Sequence, residues 1–520
     1  MDDANLQSLK SPLAFLGHLI DPEATRVLKD YESWWLAEGV TISEAVDRAG
    51  TPWLRMFDQF GNRTDEILFP PDYWKMLKRG YEAGAIWRAF AGDSLRMHYL
   101  IDYVTCFFDA GLGCPYIVSL STTVPVRKYA EHELQEKFLP QLLRHDGSNW
   151  QGATWMTEVK GGSDLGSNVE TVARRNPAVR EGANSWLLTG AKYFASNVGA
   201  ELAIVAARPE GAPKTVQGVA LFLVPRYRDS RGENPIGREG ASVTGTRELN
   251  YFIRRLKPKI GTRSVPTGEV ELRDSEAYLL GKQEWGIYLI LESLNLSRVG
   301  NIAGSVALAQ RALADALTFA EQRVAFGKPI VDHPLLRRQF DERVAQLHQA
   351  RALMWEVILL LDEVWQETPR YSDRYHLFRL ATHLAKYWTA ELAVQFAKWN
   401  MEVHGGMGVL SEYSAERWLR EAMILPIWEG TPHRQMLDGL EVMERKRAHE
   451  MLFAHLAPYV DPAELQDISA RLDGHLRLPA AEKEAGIEPL FRELAEFTAR
   501  TLAGAACQYG ERSRPDRDST

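Results

Sequence analysis

Residues 155–164 read Trp155-Met-Thr-Glu-Val-Lys-Gly-Gly-Ser-Asp164, a polar stretch between a helical first third and a strand-rich middle of the chain. Gly161 and Gly162 allow a backbone to approach a ligand closely and to adopt φ values that other residues avoid. The hydroxyls of Thr157 and Ser163, with the free N–H groups of a loop, suit the oxygens of a phosphate or similar group. The plain alternative is an ordinary loop, because the stretch is neither a P-loop nor a G-x-G-x-x-G fingerprint.

The composition is that of an ordinary globular protein. The chain has 520 residues, 45% of them hydrophobic and 25% charged, and this length predicts about two to four domains. The net charge of −8 disfavours a protein whose main role is to bind a polyanion. The cysteines, Cys106, Cys114 and Cys507, have no metal-ligand spacing and suit a reducing compartment better than a disulfide scaffold.

Neither a secretory signal nor a membrane span is predicted. The acidic N-terminus lacks the basic and then apolar pattern of a signal peptide. The apolar run 357–361 is bracketed by Glu356 and Asp362 and is far too short to cross a bilayer. We therefore expect a cytoplasmic protein without a membrane attachment.

Residues 1–150 have helical patterning. Asp21 followed by Pro22 predicts an N-cap and the first residue of a helix. Aromatic and apolar residues recur at helical spacing from 73 to 110, and such a stripe is far more often core than a cofactor-binding surface. The segment 134–143 is predicted to be the last helix of this part.

Residues 151–275 change to a strand pattern, in which turn residues separate short β-rich runs. This pattern predicts a small β-barrel or sandwich. A charged, glycine-rich segment at 226–245 has no period and is predicted to be a surface excursion. The β-rich runs are 186–190, 202–207, 219–224 and 268–272.

The helical period returns from residue 286 onwards. Long helices are predicted from 286 to before Gly327, from Pro334 onwards, and from about 374 to 403. Amphipathic helices with short connections pack most naturally as a four-helix bundle. The expected domains are a helical N-terminal domain at 1–150, a middle β domain at 151–275, a C-terminal helical bundle at 276–450 and a helical tail extension at 451–520.

Motifs in the same order resemble those of the acyl-CoA dehydrogenase family, in which they are the flavin loop, the strand on the flavin ring, an Arg-x-x-Phe-Gly segment and the segment with the catalytic glutamate. The segments 254–263 and 279–281 are most similar to the branch named for the bacterial adaptive response to DNA alkylation. The motifs are Met156-Thr-Glu-x-x-x-Gly-Ser-Asp164, Lys192-Tyr-Phe-Ala-Ser-Asn197, Gln322-Arg-Val-Ala-Phe-Gly-Lys328 and Ile427-Trp-Glu-Gly-Thr431.

The resemblance implies a multidomain α+β fold, with a helical N-terminal domain, a middle β-barrel or sandwich and a C-terminal four-helix bundle. It also implies an FAD cofactor and an acyl-CoA substrate. A flavoprotein that accepts electrons is the implied partner, and the implied assembly is a homotetramer or a homodimer.

Glu429 is the candidate catalytic residue. Thr431 and Pro432 predict an N-cap and a first helical residue, so Glu429 lies just ahead of a helix N-terminus. The apolar segment 425–428 should desolvate the carboxylate and raise its pKa toward the range of a general base, whereas the helix dipole acts in the opposite direction. An acid that only complements the dipole is the plain alternative; the resemblance favours the base, since the family's catalytic glutamate occupies this position.

The resemblance assigns further residues to the cofactor and the substrate. It places Ser163 near the pyrophosphate and the CoA, and Arg298 matches an arginine of the substrate region, although a helix-surface charge fits equally well. His404 has no second ligand at a useful spacing and is predicted to lie in a turn, so no metal site is expected. The remaining cofactor-binding candidates are Met156, Thr157, Phe194 and Ser196 at the flavin ring, Arg323 and Phe326 from a neighbouring subunit, Glu402, Gly405 and Gly406, and Thr431 beside the base.

The chain departs from the family pattern at positions that bear on ligand binding. Phe194 replaces the usual tryptophan, which keeps an aromatic face but loses the indole donor. Glu402 stands where a glutamine usually contacts the adenine half of the cofactor. Trp428 replaces the usual tyrosine beside the base and narrows the predicted acyl pocket, which puts straight-chain substrates in doubt.

The sequence leaves open three functions, ranked with an FAD-dependent acyl-CoA dehydrogenase first. The second is a flavin-containing DNA-alkylation stress-response protein with weak dehydrogenase activity, and the third is a flavin oxidase of another small molecule. The basic run 254–259 is consistent with DNA binding, but such runs are usually solvated. Residues 441–520 hold 11 Lys and Arg against 15 Asp and Glu, a net charge of −4, so DNA is not an expected partner.

Overall fold

A computed structural model describes residues 3–180, 182–228 and 248–509. The backbone divides into two compact units: the barrel unit is residues 33–300, and the bundle unit is residues 1–32 together with 301–520. Most of the predicted excursion at 226–245 and the end of the predicted tail lie outside the described residues. The four-domain division with its boundaries stays a prediction.

Helices dominate the chain before the barrel, as predicted. Asp21 caps one of them, because its Oδ1 accepts a hydrogen bond from Ala24 N at 2.8 Å and Pro22 is the first helical residue. Most of the aromatic stripe from 73 to 110 is buried and belongs to the core. The helices are α1 (Asp3–Ser8), α2 (Pro12–Leu16), α3 (Pro22–Trp34), α4 (Val40–Ala49), α5 (Tyr73–Ala83), α6 (Trp87–Ala91), α7 (Arg96–Phe108), α8 (Ala110–Tyr129) and α9 (His132–Leu142).

The helical pattern expected for residues 1–150 is wrong at one place, where the chain forms a β-hairpin. Strands β1 (Trp53–Phe57) and β2 (Arg63–Leu68) pair antiparallel. Leu54 and Ile67 pack against the core of the barrel described below. A distant apolar partner, rather than a local period, therefore selects strands here.

The middle of the chain forms a β-barrel. Its strands are β3 (Gly152–Trp155), β4 (Val172–Arg175), β5 (Trp186–Ser196), β6 (Leu202–Pro209), β7 (Ala220–Pro225), β8 (Phe252–Leu256) and β9 (Thr267–Leu279), with a short helix α10 (Leu165–Asn168) after β3. Among these described strands, β6, β4, β5, β9 and β7 pair in that order and β7 returns to β6, which closes a ring. Strands β3 and β8 are added to β6 and β9.

The central strand β6 is buried on both faces. Ala203, Val205 and Ala207 belong to the cluster that fills the barrel. Leu202 and Ile204 alternate with them and belong to a second cluster, which includes Phe138 of α9 and other residues of α8 and α9. Burial on both faces explains why this strand is a continuous apolar run.

Long helices follow the barrel and begin within one residue of the predicted positions, and the first of them ends at Gln322, before Gly327 as predicted. The elements are α11 (Gly286–Gln322), β10 (Val324–Ala325), β11 (Lys328–Pro329), α12 (Pro334–Val364), α13 (Asp373–His404), α14 (Ser414–Ala422), α15 (Pro432–Lys446), α16 (Ala448–Leu456), α17 (Pro462–Leu476) and α18 (Ala480–Tyr509). In the described part of the bundle unit, α13 packs against α12, α14, α15 and α16, and α18 packs against α12 and α13. No helix of the described residues is both long enough and apolar enough to cross a membrane.

Candidate active site

The loop at 156–171 leaves and rejoins a single edge of strand β6. Both β3, before the loop, and β4, after it, pair parallel with β6. Leu202 N donates to Gln151 O at 3.2 Å, and Arg208 N donates to Thr171 O at 2.8 Å. Because amides an even number of residues apart in a strand point the same way, β3 and β4 lie on the same edge of β6. The loop is therefore anchored at both ends to one strand.

A buried ion pair holds the loop between these two ends. Lys192 Nζ lies 2.6 Å from Glu158 Oε1, and the two residues are only 1% and 4% exposed. Glu158 also accepts hydrogen bonds from Thr171 Oγ1 at 2.7 Å and from Glu170 N at 2.8 Å. Burial alone raises the pKa of Glu158, but the Lys192 charge and these hydrogen bonds outweigh it and hold the pKa below its usual value.

Met156 and Thr157, the first two residues of the predicted flavin loop, lie beside the predicted flavin strand at 192–197. Tyr193 N donates to Thr157 O at 3.0 Å, and Trp155 Nε1 donates to Ser196 O at 3.1 Å. Met156 lies between these contacts and is buried. The flavin loop and the flavin strand implied by the resemblance are thus neighbours in the barrel unit.

Phe194 lies in a β-bulge of β5. Lys192 pairs with Val270 and Ala195 with Gly268, so three steps on β5 oppose two on β9. A bulge of this kind re-aims the local side chains and is common beside active sites. The Phe194 ring is 54% exposed, although it lies in a strand whose neighbouring Ala195 is fully buried.

Further residues of the loop and of β5 supply a closely packed glycine and hydroxyl groups. A Cβ at Gly162 would lie 2.4 Å from Thr157 Oγ1, so only glycine lets the loop fold back against Thr157. Ser163 is exposed, and Ser196 Oγ lies 3.2 Å from Thr267 Oγ1. An exposed aromatic ring beside a glycine turn, hydroxyls and loop amides fits the donor and stacking needs of a flavin dinucleotide.

Lys257 was not singled out by the sequence, yet it faces the same aromatic residues. Its Nζ lies 3.2 Å from the Tyr193 ring centroid and 4.8 Å from that of Phe194. It also pairs with Glu269 at 2.8 Å. The basic run expected to be a solvated face thus contains a half-buried lysine beside the exposed ring.

Arg298 is not a charge on a helix surface. It is 4% exposed, and its Nη1 donates to Asn295 Oδ1 at 2.9 Å. The surface alternative left open by the sequence is therefore wrong. The assignment of Arg298 to the substrate region stays a prediction.

In the bundle unit, Glu429 lies in a turn with unusual backbone angles. Its φ is 58°, in the left-handed region, and Gly430 follows with a φ of 102°. Thr431 caps α15 by accepting a hydrogen bond from Arg434 N at 3.4 Å, with Pro432 as the first helical residue, as predicted. Non-glycine residues in this region are uncommon and concentrate at functional sites.

The apolar wall predicted before Glu429 is incomplete. Leu425 is 3% exposed, but Ile427 is 61% exposed and points away from the core. Glu429 itself is half-buried, and its Oε2 atom has almost no solvent contact. Buried lysine and glutamine side chains, Lys386 and Gln435, hydrogen-bond to the turn.

Arg323 and Phe326 lie at a two-residue hairpin between β10 and β11. Phe326 and Gly327 occupy the turn with φ values of 51° and 85°, as in a type I′ turn. The Phe326 ring is 98% exposed, and Arg323 is also exposed. A single exposed apolar side chain does not define an interface, so the contact of Arg323 and Phe326 with a neighbouring subunit stays a prediction.

Gly405 and Gly406 follow the end of α13, where Gly405 has a φ of 57°. Neither glycine has a heavy atom within 4 Å of the position a Cβ would take. Glu402, one turn earlier, is exposed and pairs with Lys398. The ring of His404 stacks on Phe319 of α11 at 4.3 Å, which brings this glycine pair to the same end of the bundle unit as the 323–327 hairpin.

Family models match most of the chain. The middle domain of acyl-CoA dehydrogenases matches residues 153–275, and their C-terminal domain matches residues 284–443. The N-terminal domain of the adaptive response protein AidB matches residues 2–146. The chain belongs to the acyl-CoA dehydrogenase family.

Two relatives are similar over most of their length. The chain is 28% identical over 449 residues to acyl-CoA dehydrogenase family member 11 of Caenorhabditis elegans, which covers 82% of this chain and 68% of the relative. It is 27% identical over 481 residues to the putative acyl-CoA dehydrogenase AidB of Escherichia coli strain K12, which covers 88% of this chain and 82% of AidB. The similarity therefore extends beyond residues 153–275 and 284–443, which the two acyl-CoA dehydrogenase domain models match.

Solved structures share the architecture. The apo-form of Bd2924 is 27% identical, with a TM-score of 0.82 over 98% of this chain and 97% of that one. ACDH-11 of Caenorhabditis elegans in complex with C11-CoA is 23% identical, with a TM-score of 0.77 over 97% and 86% of the two chains. An acyl-CoA dehydrogenase of Bacillus anthracis complexed with FAD is 18% identical, with a TM-score of 0.72 over 98% and 84%. The last two show the fold alone.

Proposed function

We propose that this chain is an FAD-dependent acyl-CoA dehydrogenase that oxidises the α,β carbon–carbon bond of an acyl-CoA thioester. Membership of the family supports an oxidoreductase. The FAD of the Bacillus anthracis structure and the C11-CoA of the Caenorhabditis elegans structure support the cofactor and the substrate class. The observation that carries the proposal is the carboxylate of Glu429, presented from a turn with a φ of 58° directly ahead of a capped helix.

In this proposal Glu429 is the general base. Its carboxylate takes a proton from the carbon next to the thioester carbonyl, while the neighbouring carbon loses a hydride and a double bond forms between the two carbons. FAD, when bound, supplies the hydride acceptor. Glu429 must therefore be ionised before the reaction and protonated after it.

The barrel unit offers the groups that would hold the flavin ring. The exposed face of Phe194 would stack on it, while Met156, Thr157 and Ser196 would line it. Ser163 would lie near the pyrophosphate and the CoA, and Arg298 would serve the substrate region. The further cofactor contacts that we propose are Glu402, Gly405, Gly406 and Thr431, with Arg323 and Phe326 of a neighbouring copy in a homodimer or homotetramer.

The direct test is to mix the FAD-loaded protein anaerobically with a panel of acyl-CoAs and to follow bleaching of the flavin absorbance. At least one acyl-CoA should bleach the wild type. Glu429→Gln should retain FAD but reduce it about 10²–10⁴-fold more slowly, because glutamine cannot take a proton. Glu484→Gln, an exposed glutamate of α18, is the matched control and should behave as the wild type.

Two results would contradict the proposal in different ways. If no acyl-CoA bleaches the FAD-loaded wild type, the chain is not an acyl-CoA dehydrogenase. If Glu429→Gln reduces its flavin at nearly the wild-type rate, Glu429 is a residue of the helix start and the base lies elsewhere.

A second candidate is a flavin-containing stress-response protein of DNA alkylation with weak dehydrogenase activity. It is favoured by the match of residues 2–146 to the N-terminal domain of AidB. The net charge of −8 argues against a role that depends on binding duplex DNA. A titration with duplex DNA separates the two candidates, since only the stress-response function requires a tight complex.

A further inference from the structure

We propose that Lys386 and Gln435 are positioning residues that hold the Glu429 turn in its reactive orientation; this inference rests on the function proposed above. Neither residue is part of the motifs that predicted the site. Both are fully buried, and both donate hydrogen bonds to main-chain carbonyls of the segment around Glu429. Their side chains form a brace between α13, α15 and the turn.

Lys386 spans the turn. Its Nζ donates to Pro426 O at 2.7 Å and to Gly430 O at 2.6 Å. These carbonyls lie on either side of residues 427–429, so a single ammonium group ties together the two ends of the segment that carries Glu429. A buried ammonium group is costly unless it is hydrogen-bonded. The conformation of the turn in which both carbonyls accept hydrogen bonds from Lys386 is therefore favoured.

Gln435 lies on α15, which follows the turn in sequence, and its side chain also holds the turn. Its Nε2 donates to Glu429 O at 2.9 Å and to Gly430 O at 3.1 Å. Since both partners are carbonyls, only the amide nitrogen can face them, and the orientation of the amide is determined. A Cβ at Gly430 would lie 2.9 Å from this nitrogen, so the contact also requires glycine at position 430.

Helix α13 secures Gln435 as well. With Nε2 directed at the turn, Gln435 Oε1 is an acceptor and lies 2.9 Å from His383 Nδ1, which must then carry the proton. His383 and Lys386 are three residues apart and therefore lie on the same face of α13. One face of a 32-residue helix thus supports the turn both directly and through Gln435.

The brace matters because the turn is unfavourable by itself. A glutamate with a φ of 58° persists only when its surroundings determine the conformation. Proton transfer requires the carboxylate within hydrogen-bonding reach of the substrate carbon's proton, and a misplacement of about 1 Å can reduce a rate about 10²-fold. Loss of either donor should therefore slow the proposed chemistry without removing the base.

The experiment uses Lys386→Met and Gln435→Met, which keep the approximate volume but remove the donors. Matched controls are Lys446→Met at the end of α15 and Gln395→Met on the exposed face of α13. The first readout is the rate of flavin reduction at saturating acyl-CoA, divided by the FAD content. The second is hydrogen–deuterium exchange of the amides of Ile427 and Trp428, which are bonded to Ile424 O at 3.0 and 3.1 Å.

We expect both variants to reduce flavin about 10- to 100-fold more slowly than the controls, with a half-saturating acyl-CoA concentration within about threefold of wild type. Amide exchange at Ile427 and Trp428 should rise at least about tenfold, since the loss of either donor frees the turn. A variant that is merely less stable would lose FAD content but keep the rate per bound FAD.

Each contrary result has a distinct meaning. Unchanged exchange in both variants overturns the brace itself. Raised exchange with an unchanged rate per FAD overturns its role in positioning Glu429. If the wild type is bleached by no acyl-CoA, the proposed dehydrogenase function fails, whereas the exchange measurement still decides whether Lys386 and Gln435 hold the turn.

Discussion

Lys192 Nζ lies 2.7 Å from Ala206 O, at the point where the paired edge of strand β6 is interrupted. Strand β3 pairs with β6 as far as Val205, and β4 pairs from Arg208 onwards. The carbonyl of Ala206 falls in the gap that the 156–171 loop leaves between them. A side-chain ammonium group thus replaces the missing strand, and the same group forms the ion pair with Glu158.

Lys192→Met should destabilise the barrel unit by about 3–5 kcal/mol, because it leaves the buried Glu158 carboxylate without its counter-charge. The free energy of unfolding in urea measures the change. Lys160→Met is the matched control: Lys160 is an exposed lysine of the same loop, paired with Glu170, and its loss should leave the urea midpoint unchanged. Adding Glu158→Gln to Lys192→Met should restore part of the stability. If the urea midpoint of Lys192→Met equals that of Lys160→Met, the prediction is wrong.

Asp102→Asn should stabilise the protein at neutral and alkaline pH but not at acid pH. Asp102 on α7 is fully buried, with a weak hydrogen bond from Cys106 Sγ at 3.7 Å. Burial raises the pKa of Asp102 to about 8, from the usual 3.8, and the Cys106 contact only partly offsets it. Between these values the unfolded chain has released the proton that the folded chain retains, so wild-type stability falls as pH rises from about 4 to about 8.

The difference between the thermal midpoints of Asp102→Asn and wild type, measured from pH 4 to pH 9, isolates this effect because other groups cancel. The difference should grow with pH up to about 8 and then level off. A difference that does not vary with pH would show that Asp102 titrates normally in the folded protein.

Phe326→Ala and Arg323→Ala should weaken both self-association and FAD retention. The Phe326 ring is 98% exposed at the hairpin tip of the isolated chain. If the Phe326 ring completes the cofactor site of a second copy, its removal should both separate the two copies and release the flavin. Light scattering after size-exclusion chromatography gives the mass, and the flavin absorbance gives the FAD content.

Phe60→Ala provides the control for this pair, since Phe60 is a 79% exposed aromatic residue between β1 and β2. It should change neither mass nor FAD content. Equal FAD content and equal mass in all three variants would show that the 323–327 hairpin contacts no second copy.

The protein should bind duplex DNA only weakly at physiological salt. Its net charge is −8, and contacts to phosphates weaken steeply with salt. Fluorescence anisotropy with a labelled duplex at two salt concentrations measures the affinity. A sub-micromolar complex that resists salt would contradict the prediction and favour the stress-response function.

The long helices were predictable because their signals are local. The α12 start at Pro334 and the α13 end before Gly405 follow from proline and glycine chemistry, and the buried stripes follow the helical period over eight or more turns. The N-cap at Thr431 has the same local origin. The motif residues of the site were predictable only through their resemblance to a family.

Strands and buried side-chain contacts were not predictable where they depend on residues that are distant in sequence. Strand β3 is four residues long and contains no apolar alternation, and it exists because β6, some 50 residues later, pairs with it. Lys192 and Glu158 resemble surface charges until the fold buries them together. Lys386 offered one signal, since it is the one lysine among the buried residues of α13, but its carbonyl partners lie 40 and 44 residues away.

The attachment of β3 and β4 to one edge of β6 makes the intervening segment a cassette. Its two ends are held by Leu202 and Arg208, and its first residues are held by Lys192 through Glu158. Between these attachments, exposed positions such as Val159, Lys160 and Ser163 can change without shifting the register of any barrel strand, whereas Gly162 and the buried Leu165 are fixed by packing. If the loop contacts the cofactor and the CoA as proposed, variation at these exposed positions is a route to altered ligand preference on an unaltered barrel.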